Sequence, residues 1–358
     1  MIAITSFYGL GERLDPVPAT VVGRLGHIDR WAGQADLYRQ QLPKLLEALR
    51  KRAQIESTEA SSAIEGVSAP HARAEAIVAD PSQKPQNRSE QELRGYSDAL
   101  TYIFTEAVME QAISRGLIFH LHRLLFAPTG DLGAGQIKTS DNVVVERQAS
   151  GLRTVRFHPV PASQADQVLE NLVGGYNDAL ERGIHHPLIL TAAFDLEFTV
   201  IHPFADGNGR VSRLLIGLLL ARSGYDVGKY VSIERLFEST EDAYYGGLLT
   251  STEGWHENQH DPWPWIAYLI EIIESAYQRF VSYAEAERTH GTKAARVRRY
   301  IEEHAEGQID MASMRIALPG ISDRTLQKVV HEMRDAGLIQ ATSSGRLAQW
   351  RWIAAPNK

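Results

Sequence analysis

The sequence lacks several features that would mark a secreted, membrane-bound or zinc-binding protein. It contains no cysteine, which excludes disulfides and thiolate metal sites and is consistent with the cytoplasm. The longest apolar stretch, Leu214 to Ala221, is far too short to span a bilayer. The first ten residues, MIAITSFYGL, show neither a basic region nor a small-residue cleavage site, and no H-E-x-x-H pattern occurs. We therefore expect a cytoplasmic protein without membrane contact, export signal or zinc site.

Length, composition and charge are those of an ordinary globular protein with an uneven charge distribution. The 358 residues are 44% hydrophobic and 23% charged, which allows two or three domains. The formal net charge is −7, yet residues 291–358 contain 11 Lys and Arg against 7 Asp and Glu. The C-terminal part is thus the basic end of an acidic chain.

One short stretch, His202 to Arg210 (HPFADGNGR), concentrates polar and small residues. Gly207 and Gly209 bracket Asn208, and such a turn can point successive backbone N–H groups at an anion. The apolar run Val211 to Ala221 predicts a buried helix, whose N-terminus adds unpaired N–H groups and a positive dipole end. The stretch therefore predicts a phosphate-binding turn.

The charged residues of this stretch fit the same chemistry. Arg210 and Arg213 are three residues apart, so they share a helix face and offer forked donors to phosphate oxygens. Asp206 is a hard oxygen ligand of the kind that Mg²⁺ uses together with substrate phosphates. His202 titrates near neutrality and can accept a proton from a hydroxyl. Each feature alone is commonly structural, but together they indicate a site that handles a polyphosphate.

The order of these residues resembles the signature of the Fic domain family, His-x-Phe-x-(Asp/Glu)-Gly-Asn-Gly-Arg-x-x-Arg, and every fixed position is present. The resemblance implies a helical fold that transfers AMP from ATP to a hydroxyl side chain of a target protein, or of the chain itself, releasing pyrophosphate. It also implies the site roles: His202 the general base, Asp206 the Mg²⁺ ligand, Gly207, Asn208 and Gly209 the anion hole, Arg210 a phosphate clamp, and Arg213 the partner of the γ-phosphate.

A second motif lies upstream. Arg52 to Glu65 is rich in Ala and Glu and ends at Gly66, which predicts a helix with a glycine cap. From Ser61 to Gly66 the sequence also fits the Fic inhibitory motif, (Ser/Thr)-x-x-x-Glu-(Gly/Asn). The resemblance implies that Glu65 pairs with Arg213 and holds the enzyme inactive.

Two further features lie near the signature in the chain. The β-prone runs Val143 to Val145 and Thr154 to Phe157 predict a hairpin. The residues alone favour a surface hairpin, whereas the resemblance implies a flap, roughly Lys138 to Phe157, that holds the target by strand pairing. Downstream, the resemblance places Tyr245, together with Ser239, near the nucleotide, while core packing is the alternative for the tyrosine.

The C-terminal residues 291–358 resemble a winged helix-turn-helix domain. Ser322 is a plausible cap of a helix with apolar residues at helical spacing, and Leu338 to Ala341 and Leu347 to Trp352 look like paired strands. In that arrangement DNA would be faced by a small set of residues: Arg324, Thr325, Lys328 and Arg346. Because the basic surplus is small, protein docking stays open as the alternative.

The expected fold is mainly α, a Fic-type helical bundle with a β-hairpin flap plus a small C-terminal winged helix-turn-helix domain. The expected domains are an N-terminal helical region with the inhibitory motif (1–112), the Fic catalytic domain (113–254), a connecting helix (255–290) and the winged-helix-like domain (291–358). The expected function is a protein adenylyltransferase that uses ATP and Mg²⁺. The alternatives are a DNA-binding regulator with a nucleotide-sensing Fic domain and an enzyme that removes AMP; a homodimer also stays open.

Overall fold

The computed structural model describes residues 13–147, 153–288, 292–304, 309–318, 320–342 and 349–353. The protein is mainly helical, as predicted, and divides into two compact units. One unit comprises the described residues up to Gln34 together with Arg50–Gln278, and the other comprises Ala35–Leu49 and the described residues from Arg279 onward. Within the described ranges, no helix combines the length and apolar character that crossing a membrane requires.

Twelve α-helices and one hairpin occupy the described chain up to residue 288. They are α1 (Ala19–Gln41), α2 (Pro43–Ile64), α3 (His71–Ala79), α4 (Arg88–Ile103), α5 (Glu106–Met109), α6 (Arg115–Phe126), β1 (Val144–Arg147), β2 (Arg153–Phe157), α7 (Ala162–Arg182), α8 (Pro187–Ile201), α9 (Asn208–Arg222), α10 (Ile233–Ser239), α11 (Glu241–Thr252) and α12 (Trp263–Arg288). Short 3₁₀ turns occur at Ala127–Thr129 and Asp226–Lys229.

Helices α8 and α9 form the centre of the first unit. Nearly every residue of both is buried, because their sequences are apolar on all sides and such helices belong in a core. Helix α8 ends at His202, and α9 is preceded by Gly207; both residues have left-handed backbone angles. The signature stretch is thus a tight turn between two buried helices.

The predicted hairpin is present as the antiparallel pair of β1 and β2, with Val145 opposite Val155 and an irregularity between Val144 and Val145. The connecting residues 148–152 lie outside the described chain. The side chains of Val145 and Val155 are about half exposed.

The C-terminal unit contains three further helices and a small sheet. Its elements are α13 (Lys293–Glu303), β3 (Ile309–Asp310), α14 (Met311–Ala317), α15 (Asp323–Asp335), β4 (Ile339–Ala341) and β5 (Gln349–Trp352). Ser322 caps α15 by accepting a hydrogen bond from the Thr325 N–H, as predicted. The sheet has the order β3-β5-β4, so the predicted strand pair gains a third strand, which is only two residues long and too short to show an alternating pattern. Arg346 lies outside the described residues.

Candidate active site

The turn between α8 and α9 is closed by Asn208. Its side-chain oxygen accepts a hydrogen bond from the Phe204 N–H at 2.9 Å, and its amide donates to the Phe204 carbonyl at 2.8 Å. The Asn208 side chain is buried, and both of these bonds join it to the backbone of Phe204. What Asn208 and its glycine neighbours offer to an anion is therefore backbone N–H groups at the start of α9.

The turn requires glycine at position 207 for two reasons, its backbone conformation and its small size. Its φ is +78°, and a Cβ atom there would lie 2.6 Å from Cε2 of Phe126. We expect Gly207→Ala to lower the free energy of unfolding by about 2–4 kcal/mol, because backbone strain and overpacking add. Gly224 is the matched control, since its φ is +89° but no atom lies within 4 Å. Urea unfolding should show a loss of only about 1–2 kcal/mol for Gly224→Ala; equal losses would contradict the role of the Phe126 contact.

His202 lies where α8 ends. Its Nδ1 is 3.3 Å from the Thr199 carbonyl oxygen, which can only accept, so Nδ1 carries the hydrogen and Nε2 remains a base. Burial, together with the nearby Lys138 ammonium, lowers the pKa of His202 to about 4. The imidazole is therefore neutral near pH 7, as a proton acceptor must be.

Lys138 is a site residue that the sequence did not single out. It is buried and donates from Nζ to the Ile201 carbonyl at 3.2 Å and to Oδ1 of Asn142 at 2.9 Å. Burial lowers the pKa of Lys138 to about 8. The residue joins the chain before the hairpin to the end of α8, next to His202; its only sequence signal was its place in the predicted flap.

Asp206 presents an exposed carboxylate from a fixed backbone. Its carbonyl accepts a hydrogen bond at 3.1 Å from Nε2 of His122, whose Nδ1 accepts from the Gly135 N–H at 2.7 Å. The His122 ring also stacks on Phe204 with centroids 3.9 Å apart. No sequence pattern pointed to His122, because it lies on α6, 84 residues from Asp206.

The oxygen and nitrogen ligands near the glycine turn determine which kind of metal site is possible there. No group of three or more His, Asp or Glu ligands occurs in the described part of the chain. Mg²⁺ that travels with a nucleotide needs only one or two protein carboxylates, because phosphates and water supply the other ligands. The Asp206 side chain is 71% exposed beside the glycine turn, so it fits that role.

Arg210 is buried and held from three sides. It forms an ion pair with Glu92 of α4 at 2.6 Å, lies over the Phe126 ring at 5.1 Å, and approaches Asp206 at 3.8 Å. Its Nε has no hydrogen-bond partner among the described atoms. Glu92 was not predicted, since it lies 118 residues from Arg210.

Arg213 is buried and faces α2. Its Nε donates to the Ser61 hydroxyl at 2.8 Å, and its Nη2 donates to the Ser61 carbonyl at 2.9 Å and to Glu65 at 2.7 Å. Burial opposes the charges of both groups, but the mutual attraction prevails: the pKa of Glu65 is lowered and that of Arg213 raised. Glu65 and Arg213 thus form an ionised pair.

Some of these groups line one cavity of about 220 Å³, whereas the predicted site residues Asp206, Gly207 and Arg210 are not part of its lining. Its polar wall contains Glu65, His202, Gly209 and Arg213, and its apolar wall comes from the hairpin and α11. The residues of the apolar wall include Val144, Val145, Phe157, Tyr244, Tyr245, Leu248 and Leu249.

The two downstream nucleotide-contact candidates lie in different places. Tyr245 lines the cavity beside the Arg156 guanidinium, which is 5.9 Å from its ring centroid. Ser239 is not part of the cavity lining, and its hydroxyl donates to the Leu236 carbonyl at 2.9 Å. The cavity therefore includes one of the two candidates.

Comparison with known proteins matches the same region. Residues 112–220 match the Fic/DOC family. Protein adenylyltransferase fic-1 of Caenorhabditis elegans is 27% identical over 196 residues, covering 54% of this chain and 34% of that protein. Protein adenylyltransferase Fic of Nematostella vectensis is 29% identical over 171 residues, covering 46% and 37%. This chain thus spans about a third of the length of these relatives.

Solved structures share the fold. A Fic family protein from Desulfovibrio desulfuricans superposes with a TM-score of 0.60 at 21% identity, covering 96% of this chain and 98% of that one. A Fic domain containing signaling protein from Bacteroides thetaiotaomicron gives 0.61 at 21% identity, covering 72% and 98%. The helical bundle therefore has the fold of these Fic proteins, and residues 112–220 within it match the Fic/DOC family.

Proposed function

We propose that this chain is a protein adenylyltransferase that transfers AMP from ATP to a Ser, Thr or Tyr hydroxyl of a target protein, or of itself. The observation that carries the proposal is the arrangement in one cavity of a neutral imidazole, a glycine-lined turn at a helix N-terminus, and a buried arginine. The adenylyltransferase names of the matching relatives support it. The absence of cysteine favours a cytoplasmic location.

The chemistry follows from the positions of these groups. The target hydroxyl gives its proton to Nε2 of His202 while its oxygen forms a bond to the α-phosphorus of ATP. The bond from that phosphorus to the bridging oxygen breaks, and pyrophosphate leaves with the electron pair. The N–H groups at the start of α9 and the Arg213 guanidinium stabilise the negative charge on the phosphates. Asp206 would hold Mg²⁺, which supplies further positive charge to the phosphates when bound.

Glu65 explains how the resting enzyme stays inactive. Its carboxylate bonds to the Arg213 guanidinium that the γ-phosphate would otherwise use. A Cβ atom on Gly209 would lie 2.3 Å from the same Glu65 oxygen, so the carboxylate occupies space directly above the turn. A triphosphate and Glu65 therefore compete for one place and one cation.

The hairpin suits an extended target segment. Strands β1 and β2 form a two-stranded sheet with exposed valines, and free strand edges pair readily with a peptide. In this proposal a target strand pairs with the hairpin and presents its hydroxyl to His202.

The direct test is mass spectrometry of intact protein after incubation with MgATP. The chain itself and candidate targets should gain the mass of one adenylyl group, most readily in a variant without the Glu65 carboxylate. Absence of any adduct in that variant would contradict the proposal. Supplying an adenylylated target without ATP tests the alternative: loss of AMP that depends on Glu65 would favour removal of the group.

The C-terminal unit gives limited support for DNA binding. Lys328 lies 3.9 Å from Glu332, which also pairs with Arg298 at 2.7 Å, and Arg315 pairs with Asp323 at 2.8 Å. Such internal pairing reduces the positive charge available to phosphates.

We accordingly expect weak DNA binding by the full chain, since only a few phosphates are neutralised. In gel shifts, a complex formed at about 50 mM salt should disappear by about 200 mM, and Arg324→Glu should abolish it. A complex that persists at the higher salt would contradict this expectation, and no complex at either salt would favour protein docking.

A further inference from the structure

Three polar side chains lie in one row on α2 and the residue that follows it. Ser57, Ser61 and Glu65 are spaced by four residues, so they share a helix face. Ser61 and Glu65 both bind Arg213. Ser57 has different partners: its hydroxyl donates to Oε2 of Glu234 on α10 at 2.6 Å and lies 3.0 Å from the Ser232 hydroxyl.

Glu234 is a buried carboxylate surrounded by hydroxyl groups. In addition to Ser57, it has the Tyr96 hydroxyl at 2.9 Å from Oε1 and the Ser232 hydroxyl at 3.4 Å from Oε2. Burial and the Glu234 charge raise the pKa of Tyr96 well above its ordinary value, so its hydroxyl remains a donor. Within the described ranges Glu234 has no ion-pair partner. Burying a carboxylate costs free energy of folding unless it is hydrogen-bonded, so the bonds from these hydroxyls to Glu234 are strong.

The carboxylate connects three helices close to the cavity. Ser57 belongs to α2 and Tyr96 to α4, while Glu234 belongs to α10. Helix α4 also supplies Glu92, the partner of Arg210, one turn before Tyr96. Helices α2 and α4, whose side chains bind Arg213 and Arg210, are thus both hydrogen-bonded to Glu234.

We propose that Glu234 is a positioning residue for inhibition: it anchors α2 at Ser57 and thereby holds Ser61 and Glu65 against Arg213. The inference rests on the proposed function, in which Glu65 competes with the γ-phosphate. Eight residues of helix span about 12 Å and move as a rigid rod, so an anchor at Ser57 restrains Glu65 two turns later.

The expected effect is partial release of inhibition. Ser57→Ala and Glu234→Gln should each raise the rate of AMP transfer about three- to tenfold, the factor that a lost buried hydrogen bond supplies. In a Glu65→Gly background neither should raise the rate further, because no inhibitory carboxylate remains to be positioned. Thr58→Val is the matched control: Thr58 is also buried on α2, but its hydroxyl donates within the helix, to the Gln54 carbonyl at 2.8 Å. It should leave the rate at the wild-type value.

Hydrogen exchange of the backbone amides from 57 to 65 gives a readout that does not depend on activity. Exchange should be faster in Ser57→Ala and Glu234→Gln than in Thr58→Val, with thermal unfolding confirming that all variants are folded. If Glu65→Gly transfers AMP faster than the wild type but Ser57→Ala and Glu234→Gln both keep the wild-type rate, the positioning role is overturned. An equal gain in the Glu65→Gly background would overturn it too. If Glu65→Gly transfers no AMP, the proposed function fails, and exchange alone decides: faster exchange supports the anchor, and unchanged exchange refutes it.

Discussion

Replacing Glu65 by glycine should raise the rate of AMP transfer about ten- to hundredfold. A hydrogen bond between charged groups contributes about 1.5–3 kcal/mol, and in the proposed mechanism its removal makes the Arg213 guanidinium available to the γ-phosphate. Glu65 follows the last residue of α2, so glycine there does not interrupt the helix. The rate is measured as incorporation of labelled AMP from ATP at saturating nucleotide.

Two further substitutions separate loss of the carboxylate from other effects. Glu65→Gln keeps the size of the side chain but removes its charge, so it should release part of the inhibition. Glu56→Gln is the matched control, because Glu56 also belongs to α2 but pairs with Arg52 instead of Arg213. An unchanged or lower rate for Glu65→Gly, or an equal rise for Glu56→Gln, would remove the autoinhibition claim.

The Glu65–Arg213 pair should also resist mild acid. Arg213 lowers the pKa of Glu65 in spite of burial, so the pair is intact above the ordinary glutamate pKa and is lost only as the pH falls below it. Inhibition should therefore be as strong at about pH 5.5 as at about pH 7.5. It is measured as the ratio of the Glu65→Gly rate to the wild-type rate. A ratio that falls steeply in this interval would contradict the pairing.

The features that the sequence predicted correctly are those determined by neighbouring residues in the chain. The end of α2 depends on Gly66, whose φ is +75° and whose N–H bonds back to the Ala63 carbonyl at 2.8 Å. The turn before α9 depends likewise on Gly207. Glycines at such positions are visible in the sequence because nearby residues alone determine the conformation. For the same reason the predicted cap at Ser322 is found.

The parts that were not predicted depend on contacts between distant segments. Glu92 supports Arg210, His122 supports the backbone of Asp206, and Glu234 anchors α2, yet none lies within a recognisable motif. Their sequence separations, such as 177 residues between Ser57 and Glu234, are bridged only by helix packing. Ser57 was not predicted either, although its four-residue spacing from Ser61 is visible in the sequence. A single sequence thus points to candidate reacting groups but not to the residues that hold them.

Replacing His202 by alanine should lower the rate about 10²–10⁴-fold, the usual contribution of a general base. The comparison belongs in the Glu65→Gly background, where the starting rate is high enough to measure such a loss. ATP affinity should change little, since Arg213 and the N–H groups of the turn remain; isothermal titration calorimetry with MgATP checks this. Equal labelling with and without the imidazole would refute its role as base.

The pH profile provides an independent measure of the same group. His202 accepts a proton only when neutral, and burial lowers its pKa to about 4, so kcat/KM should stay level from neutral pH down to about 5 and fall below it. Bound ATP adds negative charge beside the ring, which favours the imidazolium, so the fall in kcat should begin at a higher pH than the fall in kcat/KM. Both falls should be absent from the residual rate of His202→Ala. An acid limb that persists unchanged in that variant would assign the proton transfer to another residue.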